Sequence, residues 1–251
     1  MKTPRAVWIA AIALAAFAAA DVRAQDGVAA FLAGQTNDCP GCNLMGANLK
    51  RRNLAGANLS GANLEEVSFH RANLRGANLS GANLAYANLN RADLISANLV
   101  NADLTGAMLF AADASAATFA GANLSEAQMG NVRLIRANLE GAILIKADLG
   151  GSRLNDAKLA RATLSGADMR GSTLFRADLR DAVAETVYFA EANLRGADLR
   201  GANLRGSNFE QADLGAADLR GANLVDAYVT TASLQDAVLT GARMPDNTVH
   251  P

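Results

Sequence analysis

Alanine (56) and leucine (33) supply over a third of the 251 residues; hydrophobic residues make up 51% and aromatics only 5%. A core with irregular gaps needs side chains of many sizes, so this palette points to one small unit repeated many times. With 23 Lys+Arg against 24 Asp+Glu, the charge balance argues against a general polyanion binder and against a disordered acidic tail.

Residues 1–24 read as a secretory signal peptide. Lys2 and Arg5 precede an uninterrupted apolar run, AVWIAAIALAAFAAA, and Val22-Arg23-Ala24 supplies small residues at the −3 and −1 positions of a cleavage site. The rival reading is a membrane anchor, but such a run spans only about 22 Å as a helix against a hydrocarbon core of ~30 Å. Cleavage near Ala24 would leave 20 basic and 23 acidic residues in a soluble periplasmic or secreted product. No later segment resembles a transmembrane helix.

Residues 25–41 form the next unit, expected to cap the N-terminal end of the repeat array. Asp26 is a candidate helix N-cap, Val28, Phe31 and Leu32 give an apolar face, and Gly34 stops the helix. Cys39-Pro40-Gly41-Cys42 is a C-x-x-C in a chain expected to be exported, hence a candidate disulfide or redox pair. Redox chemistry would want the first thiol at a helix N-terminus, and haem attachment would want His where Asn43 stands. Zinc would need two more ligands, and His70 and His250 are distant in sequence. The structural reading has Cys42 filling a small inward position and Cys39 ending the entry loop, with or without a local bond.

From residue 42 to 244 the sequence has a period of five. All 31 leucines after residue 40 fall at positions 5n+4, from Leu44 to Leu239, and the frame's remaining positions are also apolar. Two residues before these centres the residue is almost always Ala, the exceptions being Cys42, Arg52, Val67, Val132, Ser152, Ser172, Val187 and Ser207. The consensus is A-(N/D)-L-x-x. Neither a helix nor a long strand keeps an every-fifth residue on one face. A short extended piece ending in a corner does: Ala and Leu point inward, the Asn or Asp between them points out, and the last two residues turn. Gly takes 16 of the positions two after a centre, where φ > 0 costs it nothing.

Runs such as GANLRGADLRGANL resemble the pentapeptide repeat family. The resemblance implies an all-β fold: a right-handed quadrilateral parallel β-helix of about ten coils, four repeats per coil, roughly 50 Å long at ~4.8 Å per coil. Members of that family similarly often open with a Cys pair. Prolines bracket the array at Pro40, Pro245 and Pro251 and never enter it, as ladders that use every N–H require. The tail, 245–251, shows no helix, so Val225, Tyr228, Val229 and Val238 at an uncapped end are a candidate homodimer contact.

Deviations from the consensus carry further expectations. Ala114 and Ala184 are centres followed by Phe119 and Phe189, which reads as volume compensation within a layer. Arg52 is the one charged inward residue and should bend toward the open N-terminal end to pair with Asp26 or Asp38. Folding the sequence on a 20-residue coil stacks Asn43, Asn63 and Asn83 into an amide ladder, and sets Asp178, Asp198 and Asp218 beside Arg180, Arg200 and Arg220. The same folding gathers Lys50, Arg51, His70, Arg71 and Arg91 into a basic edge, the candidate partner-binding site.

No catalytic, metal or cofactor constellation emerges, and nucleic acid is not an expected partner. The leading reading is a non-catalytic exported scaffold for a protein or envelope component. The alternatives are a topoisomerase-binding DNA mimic, implied by the resemblance but disfavoured by the export signal and the near-neutral charge, and a thiol-redox or metal role for Cys39 and Cys42.

Overall fold

The computed structural model describes residues 27–251; the candidate signal peptide, its cleavage site and the Asp26 N-cap lie outside them. A short helix, α1 (residues 27–32), opens the described chain, and everything from Asn43 to Arg243 is a stack of parallel bridges between residues 20 apart. Four bridges repeat in each 20 residues, as in Asn43–Asn63, Asn48–Ser68, Asn53–Asn73 and Asn58–Asn78. The chain is therefore a four-sided parallel β-solenoid. No helix among the described residues is long and apolar enough to cross a membrane.

A repeat with the consensus Asn or Asp accounts for all five of its N–H groups. In residues 72–76, Ala72 N–H closes a turn on Phe69 O at 2.8 Å and Asn73 N–H reaches the preceding coil at Arg52 O, 2.9 Å. Leu74 and Gly76 N–H reach the next coil at Asp93 O (2.7 Å) and Ile95 O (2.9 Å). The fifth, Arg75 N–H, is taken by the side-chain Oδ1 of Asn73 at 3.2 Å. The same side-chain bond recurs along the rod, for example Asp93 to Ile95 and Asn138 to Glu140. The consensus Asn/Asp is thus a turn cap that satisfies a donor the ladders leave over. Stacked amides add a second role: Asn63 donates to Asn43 at 3.1 Å and Asn98 to Asn78 at 3.1 Å.

The corners are type II turns, with the second residue after each centre left-handed. From Gly46 to Gly241 every such residue has positive φ except Thr231. Sixteen are Gly, as the sequence suggests, but 23 are not, and these sit between +54° and +61°. Each non-Gly corner costs about 1 kcal/mol, which the inter-coil ladder overcomes.

The interior is one continuous column of Leu, Phe, Met and Ala, nearly all fully buried. Phe119 and Phe189 are buried alongside the small centres Ala114 and Ala184, and Phe189 stacks on Phe209 of the next coil, with centroids 5.0 Å apart and planes at 12°. The inward serines are structural. Ser207 Oγ donates to Ala184 O at 2.7 Å and accepts Val187 N–H at 3.0 Å, inserting itself into the turn of the coil below. We expect Ser207→Ala to lower stability by about 1–3 kcal/mol, because it leaves a buried donor and acceptor unpaired. Urea unfolding checks this, with Ser172→Ala as a comparison: Ser172 Oγ bonds only the Met169 carbonyl of its own turn.

Both ends depart from the sequence-based expectation. Arg52 does bend toward the N-terminal end, but among the described residues it meets no carboxylate there: Asp38 Oδ1 accepts the Asn58 N–H at 2.8 Å, and Asp26 lies outside the described residues. The guanidinium instead donates to the Phe31 and Thr36 carbonyls and lies 4.2 Å over the Phe31 ring. Phe31 O, which also accepts the Gly34 N–H at 3.0 Å, sits at the negative, C-terminal end of α1, where a cation is favoured. At the other end the tail is a lid on one side. Arg243 and Val249 pair antiparallel, and His250 N–H reaches Ala242 O at 2.8 Å.

Candidate functional site

Cys39 and Cys42 are joined in a disulfide, both nearly buried, with Cα atoms 5.4 Å apart. Cys39 N–H enters the first ladder at Asn58 O, 2.8 Å, so the bond ties the entry loop to the first coil. Helix α1 ends before Cys39, and the Cys39 sulfur lies 3.7 Å from the carbonyl oxygen of Gly27 in the first turn of α1. Among the described residues no three His, Cys, Asp or Glu side chains gather as metal ligands.

The solenoid brings the basic edge together by its register. Bridges Asn48–Ser68 and Ser68–Asn88 stack three coils, so Lys50, Arg51, His70, Arg71 and Arg91 line one corner. Arg51, Arg71 and Arg91 occupy successive left-handed corner positions at φ +58°, +58° and +57°. Among the described residues none of the five makes an ion pair. Partial desolvation, with the charges of Arg71, Arg91, Lys50 and Arg51 behind it, pushes the His70 pKa below its ordinary value. The lowered pKa favours the fold above the unfolded-state pKa of about 6.5, and that contribution is lost as pH falls through the folded value. An NMR titration of the His70 ring in low salt should give a midpoint under 6.5 that climbs as salt screens the four cations. A midpoint indifferent to salt would contradict this electrostatic picture.

Other charged rows are compensated. Asp178–Arg180, Asp198–Arg200 and Asp218–Arg220 pair at 2.6–2.7 Å within their repeats, and Arg180 and Arg200 each reach the next coil's Asp at 3.6 Å. The arginine hydrogen bonds hold the Asp178 and Asp218 carboxyls below the usual range. On another corner Asp156 lies between Arg136 and Arg176 in sign order, and pairs with Arg176 at 3.4 Å.

Two surface features are not evident from the repeat pattern. Phe110 stands 46% exposed beside a shallow notch of about 430 Å³ floored by Gly130, Gly150 and Gly151 and flanked by Asp148 and Arg170. The signal is present in the sequence: Gly directly follows a centre only at 130, 150 and 215. Gly130 and Gly150 lack positive φ, so the backbone does not demand glycine there. A Cβ on Gly130 would meet the Phe110 ring at 3.4 Å, and one on Gly150 would meet Asp148 Oδ1 at 3.3 Å.

At the C-terminal end the structure does not gather Val225, Tyr228, Val229 and Val238 into one patch. Tyr228 and Val238 are exposed on different sides, Val225 lines a cleft with Arg205 and Arg243 on a third, and Val229 packs inward, partly buried.

The comparisons agree with this architecture. The family model for pentapeptide repeats matches in eight copies between residues 42 and 246. The chain is 33% identical to HetL, a pentapeptide repeat protein involved in heterocyst differentiation regulation from the cyanobacterium Nostoc sp. strain PCC 7120. That match covers 89% of this chain and 98% of HetL at a TM-score of 0.53. It is also similar to the pentapeptide repeat protein Rfr23 from the cyanobacterium Cyanothece 51142, at 35% identity over 38% of this chain and 64% of that one, TM-score 0.28. Full-length QnrB1, a plasmid-mediated fluoroquinolone resistance protein, matches at 17% identity over 80% of this chain and 92% of its own, TM-score 0.31. No curated protein matched the sequence significantly. With the repeat model matched along most of its length, and 33% identity to HetL over nearly all of that protein, the chain belongs to the pentapeptide repeat family.

Proposed function

We propose that the protein is a non-catalytic exported scaffold that docks an anionic macromolecular partner on the basic edge of its rod. One observation carries the reading: Arg51, Arg71 and Arg91 stack on consecutive coils with no acidic partner among the described residues. Each occupies a corner where Gly would relieve backbone strain, and each repels the next, so the row costs stability twice over. The Asp178–Arg180 ladder and the Asp156–Arg176 pair neutralise their stacked charges. A long flat solenoid face suits docking, and export is supported by the charge and apolar pattern of residues 1–24.

The test is cell fractionation and then crosslinking mass spectrometry on the wild type and on an Arg51→Glu/Arg71→Glu/Arg91→Glu variant. The wild type should sit outside the cytoplasm and crosslink reproducibly through this edge. The variant should lose the crosslinks while keeping its thermal unfolding temperature within a few degrees. A cytoplasmic protein, or crosslinks unaffected by the triple substitution, would overturn the reading.

A further inference from the structure

The basic edge does not end at Arg91. The same corner continues through Ala111, Asn131, Gly151 and Gly171 to Glu191 and Gln211, each one coil further along the ladder Met108–Gln128–Asp148–Asp168–Tyr188–Asn208. Its charge changes sign on the way. The N-terminal third carries the cations Lys50, Arg51, Arg71 and Arg91 with His70 among them, and the C-terminal third carries Glu191 and Glu210; none of these charges has an ion pair among the described residues. Between the two lies the glycine-floored notch with the exposed Phe110 at one wall and Arg170 at the other.

This order is complementary to itself when reversed. We infer that a second copy of this chain docks side by side and antiparallel on this edge, about a two-fold axis between the Asn131 and Gly151 rungs. The inference rests on the reading of the basic edge as a docking surface and names its partner. With rungs about 4.8 Å apart, the axis sets Arg91 opposite Glu191 of the second copy, and Arg71 and His70 opposite the rung of Gln211 and Glu210. Phe110 falls opposite Arg170, a cation–π pairing, although Arg170 already holds Asp168 at 2.5 Å. At the axis itself Gly130 faces Gly150, where the two edges can approach closely, while the Asn131 side chain lies over Gly151 of its own chain. Every pair occurs twice, as an isologous interface requires. It also gives Gly130 and Gly150 a reason that the backbone does not supply.

The edge is about 40 Å long and offers roughly 600 Å² per copy, at the low end for specific interfaces. The dimer should therefore be weak and strongly salt-dependent. Sedimentation equilibrium of the purified protein should show a monomer–dimer equilibrium in about 50 mM salt that weakens at least tenfold in about 500 mM. Arg91→Glu and Glu191→Arg should each be monomeric. The double variant should dimerise again, and so should an equimolar mixture of the two single variants, since each heterodimer restores both pairs. Phe110→Ala should weaken association without changing its salt dependence. A wild type that stays monomeric at low salt would overturn the inference. So would a dimer that survives both single charge reversals, the behaviour expected of end-to-end contact through the C-terminal coil. Crosslinks from the basic edge to a different protein, with the wild type monomeric, would leave the scaffold reading standing and this inference refuted.

Discussion

Deleting residues 121–140 should leave a cooperatively unfolding β-rod, whereas deleting Gly121 alone should destroy it. The longer deletion removes one whole turn of the solenoid. Ala120 then joins Gly141, which already occupies a left-handed corner, and the inward frame continues unchanged because bridged residues are 20 apart throughout. Stability in such a stack is close to a sum over neighbouring coils, so the loss is one coil's share. The single deletion moves every later residue one place along its side, sending outward Asn and Asp inward and Leu outward. One coil holds four buried centres worth about 1.5–3 kcal/mol each. Mis-registering a single coil therefore costs roughly 6–12 kcal/mol, the whole stability of a typical domain. Circular dichroism during thermal unfolding separates the outcomes. The 20-residue deletion should melt within a few degrees of the wild type, and the single deletion should show no cooperative transition.

The second large effect concerns the layer built on Ala184 and Phe189, both fully buried. Ala184→Leu adds volume beside a phenylalanine and should cost about 1–3 kcal/mol through overpacking. Phe189→Ala removes the ring, opens a cavity beside an already small neighbour and ends the stacking on Phe209, for about 3–5 kcal/mol. Joining Ala184→Leu to Phe189→Leu recreates the all-leucine layer found elsewhere in the rod, and should return to within about 1 kcal/mol of the wild type. The two positions are then coupled by about 2 kcal/mol, as expected for side chains sharing one space. Additive losses in urea unfolding would show that Phe189 does not occupy the volume left by Ala184.

Much of the rod is legible in the sequence because one rule repeats. The frame of Leu44 to Leu239, the inward Ala and the absence of Pro from the array all come from identical short sides, and the structure keeps them. The role of the consensus Asn/Asp is only half legible. Periodicity places Asn73 outward and above Asn53, but only the complete count of N–H groups shows Asn73 holding the Arg75 amide. Non-glycine corners such as Thr186 are invisible to local preference, since the ladder above and below enforces a φ that a β-branched residue resists. Charge pairing is the usual solution for an inward Arg, so the sequence alone points Arg52 at a carboxylate. Short helix α1 offers carbonyls and a ring instead. The tail's seven residues have no apolar period to announce structure, yet one antiparallel pairing suffices to lay it on the last coil.

The site divides in the same way. Folding the sequence on 20 brings Lys50, Arg51, His70, Arg71 and Arg91 to one corner, and the bridges keep that arrangement. The missing counter-charge is a three-dimensional fact, seen only when the Asp178–Arg180 ladder and the Asp156–Arg176 pair are found neutralised. The Phe110 notch is hidden by the abundance of glycine at corners. Gly130 and Gly150 differ in register by one residue, and that single step separates a turn requirement from an open surface.

If the rod presents one uncompensated edge to a partner, photo-crosslinking in living cells will find it. A benzoylphenylalanine is placed in turn at position 71, on the basic edge, and at position 200, in the neutralised Asp–Arg ladder. Discrete, reproducible adducts should form from position 71 and none from position 200. Equal adducts from both positions, or adducts from position 200 alone, would contradict an edge built for docking.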